Sequence, residues 1–210
     1  PDQSVEQALA DLEKAIALDP PHLSWYQLTI EPNTQFYSKP PTLPEDDTLW
    51  QIQERGQALL KQAGYQQYEI SGYAKPGHQC QHNLNYWRFG DYIGIGCGAH
   101  GKITQLDGGI IRTEKVKHPR GYMDLTKPYL YRDWEVSEQE RPFEFMMNRL
   151  RLVEPCPIDD FYQYTGLALT HIEPQLAQAQ QRGLISCDDK QISVTERGHR
   201  YLNALLELFV

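Results

Sequence analysis

Leu23-Ser24-Trp25-Tyr26-Gln27-Leu28-Thr29-Ile30 carries aromatic or aliphatic residues at both odd and even positions, the pattern of a strand covered on both faces. Asp19-Pro20-Pro21 separates it from an earlier segment, because proline cannot continue a helix. In that segment Ser4 and Gln7 stand at capping-box spacing, and Val5, Ala8, Leu9, Leu12, Ala15 and Ile16 recur at helical spacing. A helix followed by a doubly covered strand is α/β grammar.

The same grammar continues outward. Pro40 to Pro44 reads as a stiff linker, and Glu45 to Ala63 places Leu49, Ile52, Leu59 and Leu60 on one helical stripe before Gly64 ends it. Tyr65 to Ile70 is expected to be the next strand, completing a second α/β step. Glu31-Pro32-Asn33-Thr34 reads as a turn, in which Asn33 tolerates a left-handed conformation. Thr29 and Glu31 precede it at the C-terminal end of the strand, where α/β barrels build their sites.

Ser71 to about Gly101 is expected to be one long irregular region, dense in glycine and aromatic residues; loops that long in compact domains are commonly functional. Lys102 to Gln105 and Ile110 to Val116 then read as strands hinged at Asp107-Gly108-Gly109. His118-Pro119 opens a short helix to about Leu125. After Tyr129 the grammar changes to helical patterns at Glu138 to Leu152, Ile158 to Tyr164 and Leu169 to Arg182. A strand, turn and strand follow from Gly183 to Val194, with a further helix start at Thr195. This helix-helix-hairpin-helix order is winged-helix-like. The expected division is therefore 1–130 and 131–210.

Composition excludes several classes. The chain has 210 residues, of which 40% are hydrophobic, and it carries a net charge of −8. No apolar run approaches the roughly 20 residues that span a bilayer, so no transmembrane segment is expected and cytoplasmic localisation is the expectation. An acidic chain without lysine and arginine clusters is poorly matched to phosphate backbones, and nucleic acid is not an expected partner. From Ser137 to Val210 there are 7 Lys plus Arg against 11 Asp plus Glu, a net of −4, and Leu169 to Arg182 carries only Arg182 as a permanent cation. The four cysteines, Cys80, Cys97, Cys156 and Cys187, form no C-x-x-C pair and are expected to be reduced thiols. A start at Pro1-Asp2-Gln3-Ser4, with no initiator methionine, suggests a piece of a longer protein.

The densest chemistry lies in His82-Asn83-Leu84-Asn85-Tyr86-Trp87-Arg88, followed by Gly90-Asp91-Tyr92-Ile93-Gly94-Ile95-Gly96. A histidine beside an asparagine is ordinarily a hydrogen-bonded structural residue. Here Tyr86 and Trp87 offer flat faces on which a porphyrin can stack, and Asn83, Asn85 or Arg88 can orient the imidazole or meet a propionate. That makes His82 a candidate metal ligand and His82, Asn83, Tyr86 and Trp87 a candidate haem-binding set. A rival reading puts His78, Cys80 and His82 on one face of a strand, with Cys97 and His100, as a zinc site. Gly96-Cys97-Gly98-Ala99-His100-Gly101 matches G-x-G-x-x-G formally, but a strand pattern follows it where dinucleotide binding needs a helix. Those glycines are expected to let backbone approach a neighbour closely. There is no nucleophile elbow, phosphate loop or H-E-x-x-H signature.

Leu23 to Pro32, Tyr68-Glu69-Ile70-Ser71, Ala74-Lys75-Pro76-Gly77, Cys80 to Trp87, Gly94-Ile95-Gly96 and Gly98-Ala99-His100 together resemble the HemW haem chaperones. These are radical S-adenosylmethionine proteins of the oxygen-independent coproporphyrinogen III oxidase superfamily. The resemblance runs through essentially the whole chain. It implies the C-terminal part of a partial (β/α) barrel, then the HNxxYW region, then a small winged-helix-like α+β domain. The HNxxYW motif falls on His82, Asn83, Tyr86 and Trp87, and its histidine is implicated in haem binding in the chaperone branch. The resemblance also implies a four-iron four-sulfur (4Fe-4S) cluster and S-adenosyl-L-methionine in a full-length parent. Their C-x-x-x-C-x-x-C ligands are absent from this sequence, which leaves open whether the parent is an enzyme. Pro1-Asp2-Gln3-Ser4 resembles the end of a G-L-P-x-Q-[ST] turn. The chain departs from the pattern at Asn33, where glycine is usual, at Gly72-Tyr73 and at Cys97, where proline is common.

The implied function is haem binding and delivery to haem-acceptor proteins. The alternatives are an oxygen-independent coproporphyrinogen III oxidase, or a non-catalytic winged-helix binding module. An interrupted barrel exposes a strand edge, which leaves open a homodimer through Leu23 to Ile30.

Overall fold

The computed structural model describes residues 2–210; Pro1, the first residue of the turn noted above, lies outside the described residues. The chain forms two compact units, one ending at Cys80 and one from Gln81 to Val210.

In the first unit, helix α1 (Val5–Ala17) starts from a complete capping box: the Ser4 hydroxyl accepts from the Gln7 N–H at 3.3 Å, and the Gln7 side chain accepts from the Ser4 N–H at 2.9 Å. Strand β1 (His22–Ser24) is shorter than the Leu23 to Ile30 reading. The reason is its partner. Trp25 N–H still bonds Ser71 O at 2.9 Å, but the neighbouring strand turns away there, and Tyr26 and Leu28 are exposed rather than covered on both faces. Asn33 adopts φ +64°, as expected of the turn, and Thr34 then caps the single turn α2 (Gln35–Ser38).

Helix α3 (Asp46–Gln62) ends in a Schellman motif, with Tyr65 N–H to Leu60 O at 3.0 Å, Gly64 N–H to Lys61 O at 3.1 Å and Gly64 at φ +86°. Strands β2 (Gln66–Gln67) and β3 (Gly72–Ala74) follow. The sheet order is β1-β3-β2, and β3 pairs antiparallel with both neighbours. Leu12, Leu60, Tyr65 and Tyr73 close the core of this unit.

The second unit opens with helix α4 (Gln81–Trp87), inside the stretch read as irregular. Strands β4 (His100–Thr104) and β5 (Ile110–Lys115) form the expected hairpin, tied at Asp107 to Gly109 by Gln105 N–H to Gly109 O at 2.7 Å. His118 caps the short helix α5 (Pro119–Tyr122) through Nδ1, which accepts from Arg120 N–H at 3.2 Å. Strand β6 (Leu130–Glu135) was not legible, because every residue in it is exposed and no alternation marks it. It completes the antiparallel sheet β4-β5-β6 and runs across residue 130, where the sequence reading divides the chain.

The rest follows the anticipated order. Helix α6 (Arg141–Arg149), strand β7 (Cys156–Pro157), helices α7 (Ile158–Thr165) and α8 (Glu173–Gln181), strands β8 (Ile185–Cys187) and β9 (Gln191–Val194), and helices α9 (Glu196–Arg200) and α10 (Leu202–Leu206) succeed one another. The helix read as Leu169 to Arg182 is split: Leu169–His171 is a 3-10 turn, and Pro174, which has no N–H to donate, sits in the first turn of α8. The third sheet has the order β7-β9-β8. Phe145, Phe161, Leu176, Ile185, Ile192 and Leu205 lie in a core that also takes in Phe89, just after α4, and Ile110 of β5. That shared core fixes α4 to the C-terminal helices. Among the described residues no helix is long and apolar enough to cross a membrane, and all four cysteines are free.

Candidate functional site

Helix α4 carries the whole candidate set. Leu84, its one buried residue, anchors it inward. His82 and Tyr86 are four residues apart and therefore share a face. Their rings meet edge to face, with centroids 4.8 Å apart and planes at 62°. Tyr86 in turn lies against Tyr92, at 4.3 Å and 37°. The His82 side chain is exposed, and neither ring nitrogen has a hydrogen-bond partner among the described residues.

Trp87 is brought elsewhere. Five residues from His82, it is turned about 140° around the helix. Its half-buried ring lies under Arg151, whose guanidinium carbon is 5.3 Å from the ring centroid, and its buried Nε1 has no acceptor among the described residues. Asn83 is half-buried and engaged by a neighbour. Two of the residues read as able to meet a propionate are spent on structure. Asn85 donates through Nδ2 to Asp91 O at 3.0 Å, and Arg88 forms a two-pronged pair with Glu154 at 2.8 and 2.7 Å. The Arg88 guanidinium holds the Glu154 carboxyl below the ordinary carboxylate range, against the opposing effect of burial.

The helix ends on an unusual residue. Phe89 N–H bonds Tyr86 O at 3.0 Å, and Gly90 N–H bonds Asn85 O at 2.7 Å, which is a Schellman ending. The residue in the left-handed position is Phe89, at φ +63°, where glycine is the ordinary occupant. Its side chain is buried against Phe145 at 5.6 Å, and that packing offsets the backbone strain.

The segment after the helix is locked to the sheet. Tyr92 and Lys102 exchange both backbone hydrogen bonds, at 3.0 and 2.9 Å. The Asp91 carboxylate accepts from Lys102 Nζ, Thr104 N–H and the Thr104 hydroxyl, each at 2.8 Å. Burial opposes ionisation of Asp91, but these donors outweigh it and lower its pKa; burial also lowers that of Lys102, which Asp91 opposes. Of the three glycines in Gly96 to Gly101, only Gly101 makes the expected close approach, where a Cβ would stand 3.2 Å from Tyr92 O; the tighter approach is at Gly94, whose Cβ would stand 2.1 Å from His100 O. The segment Gly96 to Gly101 runs into β4, and no helix follows it.

The zinc reading fails on local geometry. His82 is in a helix, which removes the strand alternation that would align it with His78 and Cys80. No group of three or more metal-ligating side chains occurs among the described residues, so the chain does not fit an iron–sulfur cluster either. A single exposed histidine with an aromatic flank does fit an axial ligand to haem iron. Sequence reasoning missed Tyr92, the Asp91–Lys102 pair and Phe89. The Gly-Asp-Tyr signal after the motif was present, but its sheet partners Lys102, Thr104 and Arg112 are ten or more residues away.

The HemN C-terminal domain family matches residues 136–201. The protein named heme chaperone HemW in Escherichia coli is 61% identical over the whole of this chain, which covers 55% of that relative. The Haemophilus influenzae protein of the same name is 56% identical over the whole chain, covering 54% of it, and that of Bacillus subtilis is 32% identical, with 56% covered. The chain thus spans about half the length of the curated relatives it matches. Among solved structures, the radical SAM enzyme coproporphyrinogen III oxidase (HemN) of Escherichia coli matches with a TM-score of 0.75 at 19% identity, over all of this chain and 52% of that one. This last likeness shows a shared mixed α/β fold. By its sequence relatives, the chain belongs to the HemW haem chaperone family, of which it represents the C-terminal portion.

Proposed function

We propose that this chain is the cargo-holding part of a haem chaperone, in which His82, as a neutral imidazole, ligates haem iron while Tyr86 flanks the macrocycle. Asn83 and Trp87 complete the set as supports of the helix. The observation that carries this reading is the exposed His82 ring, with both nitrogens unbonded and an aromatic wall one helical turn away. Haem would pass from here to haem-acceptor proteins, in the cytoplasm. The functional division is 1–130, with the haem helix, and 131–210, the HemN-type C-terminal domain.

The upstream part of the parent would supply the first strands of a partial (β/α) barrel, the 4Fe-4S cluster and the S-adenosyl-L-methionine site. In support, a mouse relative, 38% identical over 56% of this chain, is named a radical S-adenosyl methionine domain-containing protein. The oxidase reading draws on a likeness of fold at 19% identity and on the HemN C-terminal domain match, with no relative of that activity among those at 30% identity or more reported above. One experiment separates the two. The full-length protein, loaded with hemin, is mixed with an apo-haem protein and the transfer is followed by absorbance; in parallel, the reduced protein is given S-adenosylmethionine and coproporphyrinogen III. Transfer without decarboxylated product is expected. Product without transfer would replace the chaperone reading with the oxidase.

A further inference from the structure

Tyr92 lies outside the HNxxYW motif, yet it touches the motif's aromatic face and is the most firmly held ring there. Its backbone is bonded on both sides to Lys102, at 3.0 and 2.9 Å. Its hydroxyl accepts from Arg112 Nη1 at 3.1 Å, and Arg112 is pinned by Glu144, which accepts from Nε at 3.1 Å and from Nη2 at 2.5 Å. The residue before it, Asp91, is fixed by three hydrogen bonds to β4. Tyr86, by contrast, is oriented by ring contacts, with His82 at 4.8 Å and with Tyr92 at 4.3 Å. A ring held by ring contacts thus lies, tilted by 37°, against one whose hydroxyl and backbone are bonded to the sheet.

We infer that Tyr92 is a positioning residue for haem binding: clamped by Arg112 and Glu144, it sets the tilt of Tyr86 and through it the orientation in which His82 is presented to iron. This rests on the haem reading of His82. The physical basis is general: ligand orientation is set by the groups behind the ligand, and their loss commonly weakens binding about 10- to 100-fold. A hydrogen-bonded tyrosine braced by a salt bridge loses few degrees of freedom when cargo arrives, so the orientation exists before binding.

The test is a hemin titration of the full-length protein and its variants, read by Soret position, by spin state and by dissociation constant. Tyr92→Leu removes the platform and is expected to weaken binding about tenfold with a shift toward high-spin haem. Tyr92→Phe keeps the ring and gives up only the bond to Arg112, so it is expected to recover most of the affinity lost in Tyr92→Leu and to match Arg112→Gln, a partial rescue that a general loss of stability would not give. Arg112→Gln loosens the clamp without touching the ring, and a smaller weakening of the same sign is expected; it serves as the second probe where Tyr92→Leu fails to fold. Should Tyr92→Leu and Arg112→Gln bind like wild type while His82→Ala loses the band, the positioning role is overturned and the haem reading stands. Should His82→Ala itself keep the wild-type band, the haem reading falls and this inference with it.

Discussion

The imidazole of His82 meets the ring of Tyr86 edge to face at 4.8 Å, one helical turn along α4, so a single local element brings the proposed ligand and its aromatic neighbour together. The pairing does not use the Tyr86 hydroxyl. Tyr86→Phe is therefore expected to bind hemin like the parent, and Tyr86→Ala about tenfold more weakly, the equivalent of about 1.4 kcal/mol for a lost aromatic pair. Titration by Soret absorbance checks it. Equal affinity in all three proteins would show that the ring is not part of the site.

How much of this was legible depends on the range of the interactions. The Ser4–Gln7 capping box, the Gly64 helix end, the Asn33 turn, the Asp107-Gly108-Gly109 hinge and the helix start at His118-Pro119 were read correctly, because each is decided by residues within a few positions of one another. Helix α4 was not, because seven residues with one buried apolar position carry no periodicity, and its end falls on Phe89 instead of glycine. The strand read over Leu23 to Ile30 was overextended, since the length of a strand is set by its partner and β3 is three residues long. His82, Tyr86 and Trp87 were named together, yet helical geometry groups only the first two. Tyr92 could be linked to them only through tertiary pairing with Lys102 and Arg112.

Phe89 holds a strained backbone because its side chain is needed in the core. Phe89→Ala is expected to destabilise the protein by about 3–5 kcal/mol. Phe89→Gly relieves roughly 1 kcal/mol of the strain and should still be destabilised overall. Urea unfolding of both variants tests this; a glycine variant as stable as the parent would show that the ring contributes no packing.

The Arg88–Glu154 pair ties the end of α4 to the segment between α6 and β7. Glu154 has a lowered pKa in the folded state, so its contribution is present above the ordinary carboxylate value of 4.5 and is lost as the pH falls below it. Thermal midpoints measured from about pH 7 down to about pH 3 should fall less steeply for Glu154→Gln than for the parent. Parallel profiles would remove the pair from the acid response.

Cys156 is buried, and burial pushes its thiol up to about 12, whereas Cys97 is exposed. A maleimide at about pH 8 is expected to label Cys97 readily and Cys156 only after denaturation, because the thiolate is the reacting form. Peptide mass mapping reads the outcome, and labelling of native Cys156 would show that α7 and β7 open in solution.

The most direct measurement is the absorbance of the full-length protein and its His82→Ala variant titrated with hemin. A shifted Soret band that saturates in the parent and is absent in the variant is the predicted result. The same band in both proteins would contradict ligation by His82.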